Sequence, residues 1–146
     1  LKTVLAKYKK YYDYILVDCG PSLGMLTINA LTAADSVIIP VEAEYLSAKG
    51  MELLLRSVAM TKRKLNPGLK IDGILITRVD KRNNLSRKII QMVRDAYESL
   101  NIFESQIPER IAVGKSLSKH ELVAGFEKNS DAAIAYKKLA QEVLAK

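Results

Sequence analysis

The chain has 146 residues, of which 49% are hydrophobic and 27% charged, enough for one domain with a real core and unlike a disordered tail or a coiled-coil rod. No apolar run approaches the ~20 residues of a membrane span and no signal-peptide pattern opens the chain. The single cysteine, Cys19, excludes internal disulfides, four-cysteine zinc sites and intrachain iron–sulfur ligation, as suits a reducing cytoplasm.

Charge is uneven. The net value is +7, but residues 61–94 carry +8 and residues 13–60 carry −4. A basic block of that size suits either a polyanion or an ordinary solvated face, and a count alone leaves both open. A start at Leu1 rather than Met leads to the expectation of a fragment or a processed product.

Apolar runs closed by Gly, Pro or Asp alternate with helix-period segments, the pattern of βα units around a parallel sheet. No internal repeat or linker-like stretch interrupts it, so residues 1–146 are expected to form one domain. Leu1 to about Lys10 reads as the tail of a helix. Tyr14-Ile15-Leu16-Val17 reads as a buried strand closed by Asp18 and the Gly20-Pro21 breaker. Leu23–Ala33 reads as a helix, and Ser36–Pro40 as a strand stopped by its proline.

Ser47 is expected to cap a helix to about Lys64, with Met51, Leu54, Leu55 and Val58 inward and Asn66-Pro67-Gly68 ending it. Ile71–Thr77 reads as a strand. Leu85–Leu100 reads as an amphipathic helix, with Leu85, Ile89, Val93, Ala96, Tyr97 and Leu100 on one stripe and Arg87, Gln91, Arg94 and Glu98 on the other. A short strand is predicted over 102–106, ahead of Pro108. Ser130-Asp131 is predicted to cap a final helix with Ala133, Tyr136, Ala140 and Val143 inward.

Asp18 is the first candidate for chemistry. An acid at the carboxyl end of a buried strand faces the crevice where open α/β sheets bind ligands. There a carboxylate can hold Mg²⁺, usually through water, opposite nucleotide phosphates. It can equally cap the next helix or start a turn, and the residues alone do not choose.

A longer match does choose. Tyr12-Asp13-Tyr14-Ile15-Leu16-Val17-Asp18-Cys19-Gly20-Pro21-Ser22-Leu23-Gly24 and Asn29-Ala30-Leu31-Thr32-Ala33-Ala34-Asp35 resemble the second half of ParA/Soj partition ATPases, relatives of MinD. So do Ile39-Pro40-Val41-Glu42, Lys64-Leu65-Asn66-Pro67 and Asp80-Lys81-Arg82-Asn83-Asn84-Leu85-Ser86. The resemblance runs from about Tyr12 to the end.

It implies a three-layer α/β fold with a mostly parallel sheet, a partial P-loop NTPase. It also implies ATP and Mg²⁺ as cofactors, a homodimer, non-specific DNA binding and a ParB-like centromere-binding partner. The expected location is cytoplasmic and nucleoid-associated, without membrane attachment. By resemblance, Asp18 is the acid facing Mg²⁺ and ATP. Pro21, Ser22 and Gly24 match the loop that senses the γ-phosphate, Thr77 and Pro108 match strand ends near the adenine, and Arg82 matches a DNA-binding arginine.

Departures accompany the match. Gly20 stands where the family usually has a second proline, and Glu109-Arg110-Ile111-Ala112 replaces the usual Arg-Asn-Val-Arg. Phosphate cradling needs a Gly-rich loop between strand and helix. Gly114-Lys115-Ser116 lacks the earlier glycine, which falls on Glu109, and is read as a false match. By resemblance, the phosphate loop is expected upstream of Leu1, and this chain alone is not expected to hydrolyse ATP.

Lys81, Arg82, Arg87, Lys88 and Arg94, with Arg78, gather at a strand end and along the next helix, where phosphate contacts would be sequence-independent and salt-sensitive. Cys19 is read as packing rather than a nucleophile, His120 as surface, and Tyr8, Tyr11, Tyr12 and Tyr14 as packed at a helix–strand junction. The last helix is read as docking on the sheet rather than on a membrane. Two alternatives stand beside the ATPase. One is a phosphoacceptor domain with Asp18 phosphorylated and Thr77 as sensor, which lacks the paired acids and later lysine it needs. The other is a nucleic-acid module using only the basic face.

Overall fold

A computed structural model describes every residue except Pro21, Leu23, Glu44, Lys81 and Lys146; the side chains of residues 45–49, Ala112 and Leu117 are also outside the description. In chain order the elements are α1 (Lys2–Leu5), α2 (Met25–Ala33), β1 (Ser36–Glu42), α3 (Tyr45–Lys64), β2 (Lys70–Thr77), α4 (Asn84–Ala96), α5 (Ile111–Ser118), α6 (Val123–Phe126) and α7 (Asp131–Leu144). They fall into two compact units, residues 1–37 with 50–71, and residues 38–49 with 72–146.

In the first unit, Leu31, Val58 and Leu69 form a buried cluster against Ala34, Val37, Leu54 and Ile71. Met51 and Val58 are buried and Leu54 and Leu55 half-buried, so the inner face of α3 is the one its period predicts. The helix starts at Tyr45, ahead of Ser47, which lies in its first turn rather than at its cap; the Ser47 side chain is outside the described residues. Three basic residues close its last turn, Lys62, Arg63 and Lys64, where they complement the helix dipole. Buried Asn66 then donates its Nδ2 to the carbonyls of Leu31 (3.0 Å) and Ala34 (2.8 Å), satisfying acceptors that the end of α2 leaves open.

The expected strand over Tyr14–Val17 is absent. The segment has no regular secondary structure and, apart from half-buried Ile15, is exposed, with Leu16 91% accessible. It makes no backbone–backbone hydrogen bond to another described residue, and the Val17 carbonyl accepts only from the Cys19 thiol two positions on (3.8 Å). An apolar run becomes a strand only when a neighbour supplies a ladder, and here none of the described residues does. Tyr8, Tyr11, Tyr12 and Tyr14 are exposed rather than packed, and Cys19 is exposed too.

β1 and β2 are hydrogen-bonded neighbours, all but the first two residues of each lying in the second unit. Pro40 sits inside β1 instead of ending it. Gly73, Ile74, Leu75 and Ile76 are all buried, the continuous burial of a central strand in a parallel sheet. Residues 102–108 run parallel to β2 and its continuation, paired at the isolated bridges Ile74–Ile102 and Val79–Pro108, with Ile107 N–H also donating to the Ile76 carbonyl (3.0 Å). The predicted strand is interrupted because the amides of Glu104 (2.9 Å) and Ser105 (2.8 Å) donate to the Glu142 carboxylate of α7 instead of to β2.

Leu75, Phe103 and Ile107 form the core there, with Ile38, Ala135, Leu139 and Val143 against them. The last helix thus docks on β2, as expected, capped by Ser130, whose hydroxyl accepts from Ala133 N–H. Its inner face differs from the predicted one, since Tyr136 and Ala140 are exposed. Asn83 caps α4 by accepting from Leu85 N–H (2.9 Å). That helix ends at Ala96 and leaves Leu85 exposed.

A Cβ on Gly73 would lie 2.5 Å from Asn101 Nδ2 and 2.9 Å from the Phe103 ring. Gly73→Ala is therefore expected to destabilise the fold by about 1–3 kcal/mol through overpacking. The shift in the urea midpoint of the purified protein measures it, and an unchanged midpoint would refute the close approach.

Candidate functional site

The first unit carries Asp18, Ser22 and Gly24. Asp18 lies in the irregular stretch before α2, exposed, with no hydrogen bond or ion pair to another described residue. Ser22 is fixed through its carbonyl, which accepts from the buried Thr27 hydroxyl at 2.5 Å. Gly24 is the N-cap of α2 in extended conformation, and no side chain of the described residues caps the helix. First-turn N–H groups of such a helix start can take an anion. Pro21 lies outside the described residues. A carboxylate without a partner among the described residues, followed by a glycine N-cap, suits a hydrated cation and a phosphate.

The second unit carries Thr77, Pro108 and the basic residues. Thr77 ends β2, its carbonyl accepting from Ala43 N–H at 3.1 Å, and Pro108 is buried beside Val79 on the parallel bridge. Arg78 follows with φ of +53°, a left-handed conformation unusual for a non-glycine residue. Its guanidinium bonds Glu42 (3.3 Å) and Glu109 (2.9 Å), and the Glu109 hydrogen bond and the nearby Glu42 charge raise its pKa above the usual arginine value. Arg78 is therefore engaged within the protein rather than free for a polyanion.

Arg82 is the opposite case, with a side chain 89% exposed. Arg87 and Lys88 are exposed on α4, Arg94 is half-buried, and Lys81 lies outside the described residues. Arg82 shares a surface depression of about 580 Å³ with Asp80, Glu109, Arg110, Lys115 and Glu127. Arg110 and Lys115 were not singled out from sequence for this surface. They lie in and around the departing segment, whose helical form gives little periodic signal over eight residues. Gly114-Lys115-Ser116 lies within α5, so it cannot be a phosphate-cradling loop.

A family described as an AAA domain matches residues 1–71. The Soj protein of Bacillus subtilis is 40% identical over 145 residues, 99% of this chain and 57% of that protein. The chromosome-partitioning ATPase Soj of Treponema pallidum is 37% identical over 146 residues, 100% and 57%. The structure of a Mycobacterium smegmatis protein described as cobyrinic acid a,c-diamide synthase, with a bound ATP analogue and magnesium, is 36% identical with a TM-score of 0.80, covering 98% of this chain and 51% of that one.

The class is an α/β P-loop NTPase fold of the ParA and MinD kind. Within it, the chain is similar to proteins named Soj and ParA at 36–40% identity, and it spans about half the length of the relatives it matches.

Proposed function

We propose that this chain is the part of a ParA-like partition ATPase that supplies the magnesium-facing acid, the phosphate-sensing loop and the DNA-binding face. It would form a single domain with the remainder of the protein. The observation that carries this reading is the stretch from Asp18 to Gly24, a carboxylate with no partner and a helix start with no side-chain cap among the described residues, in a homologue of Soj. Asp18 would hold Mg²⁺ through water, while Ser22, Gly24 and the first turn of α2 face the γ-phosphate; Pro21 belongs to the same loop. Thr77 and Pro108 would border the adenine. Bound Mg²⁺-ATP supplies the phosphoryl chemistry, and these residues orient it.

In the intact protein, ATP binding drives homodimerisation and non-specific DNA binding through Arg82, Lys81, Arg87, Lys88 and Arg94. A ParB-like centromere-binding protein then releases the dimer, moving a chromosome or plasmid. The location is the cytoplasm, on the nucleoid. Among the described residues, no helix is long and apolar enough to cross a membrane.

The test is duplex DNA binding by the full-length protein with Mg²⁺-ATP across a salt series. Arg82→Ala is expected to weaken binding to all sequences alike and to lower the salt slope by about 1. ATP affinity is expected to stay the same. Equal loss of DNA and ATP binding would instead mean a damaged fold.

A further inference from the structure

Arg82 does not hang freely from its turn. A single oxygen, Oδ1 of Asp80, accepts both the Arg82 backbone N–H (3.0 Å) and the Arg82 Nε–H (3.2 Å). Two donors from one residue on one acceptor close a ring that fixes the side chain's path. The turn itself is anchored, since Asn83 N–H donates to the Asp80 carbonyl (3.0 Å) and Asn83 in turn caps α4. Asp80 follows buried Val79 at the end of the sheet pairing, so the acceptor stands on a rigid base.

A guanidinium gripped at Nε keeps its two Nη groups for a second partner, and a phosphate takes such a fork bidentately. No other described residue bonds the Arg82 guanidinium. We propose that Asp80 is a positioning residue for Arg82, holding the guanidinium by its Nε edge so that the Nη pair is pre-oriented for a backbone phosphate. This rests on the DNA-binding reading of Arg82. The Asp80 carboxyl is held below the usual carboxylate range by the Arg82 backbone N–H, then by the Arg82 guanidinium, with a contribution from Arg110. It therefore stays ionised across the working range.

The sign of the effect separates geometry from charge. An acid beside a phosphate contact repels the polyanion, so a purely electrostatic Asp80 would weaken binding and its neutralisation would tighten it. A positioning Asp80 does the reverse when its acceptor is misplaced, because a pre-oriented arginine loses less freedom on binding.

The experiment measures duplex DNA affinity of the full-length protein with Mg²⁺-ATP at several salt concentrations. Asp80→Glu keeps the charge and shifts the acceptor by one methylene. It is expected to weaken binding about three- to tenfold, the weight of one net hydrogen bond. Asp80→Asn keeps an acceptor at the same place and is expected to stay within about twofold of the parent. On an Arg82→Ala background, Asp80→Glu is expected to cause no further loss, since the group it orients is gone. Tighter binding by Asp80→Asn with no change in Asp80→Glu would overturn the proposal, as would equal losses in both or an additive loss on the Arg82→Ala background. If Arg82→Ala itself leaves DNA binding intact, the DNA-binding reading falls, and the proposal falls with it for that separate reason.

Discussion

Asp18→Asn is expected to lower Mg²⁺-dependent ATP hydrolysis by the full-length protein about 10- to 100-fold, the usual loss when an outer-sphere partner of a metal is removed. The melting temperature is expected to hold. The two expectations have one source. The carboxylate is exposed and bonded to no other described residue, so the fold gains nothing from its charge, and surface changes of this kind fall within about ±0.5 kcal/mol. A free carboxylate also remains available to magnesium-bound water. Phosphate release and a thermal melt on the same preparation check both halves. Unimpaired hydrolysis, or a lost fold, would contradict the role assigned to Asp18.

Phe103→Ala is expected to destabilise the protein by about 3–5 kcal/mol, the range for truncating a buried aromatic. Phe103 is 1% exposed and packs with Leu75 and Ile107. Its backbone N–H donates to the Ile74 carbonyl at 3.0 Å, so the ring and the bridge to β2 are anchored by one residue. The cavity has little chance to collapse, because the same bridge holds the backbone in place. Urea unfolding gives the free energy, and a loss below about 1 kcal/mol would show that neighbours refill the space. Phe103 and Gly73 are in close contact, so their substitutions are expected to combine non-additively.

The elements read correctly from sequence are those whose instructions are local. The β2 strand has its β-favouring run, α3 its period with Asn66-Pro67-Gly68 behind it, and α7 its Ser130 cap. The misreadings depend on partners distant in sequence. Tyr14–Val17 has every local property of a strand but no ladder among the described residues. Glu104 and Ser105 lose their pairing to Glu142, nearly forty positions later. Arg78 reads as one more cation in a basic block, and only the fold brings Glu42 and Glu109 to it.

The candidate site divides the same way. Asp18 was visible as a residue because a specific motif surrounds it, and the structure shows it exposed. Its expected strand does not form. Arg82 was also visible by motif. The oxygen that grips it two positions earlier was not, since an Asp before a basic pair looks like charge dilution until the hydrogen bonds are seen.

The grip of Glu142 on the two amides also links the chain's tail to its interior. That carboxylate sits in the last turn of α7, and the amides it holds lie three and four residues ahead of Pro108. Any force or fusion that peels the terminal helix away must first release those amides, so a disturbance at the far end of the polypeptide is transmitted straight to the stretch leading into Pro108.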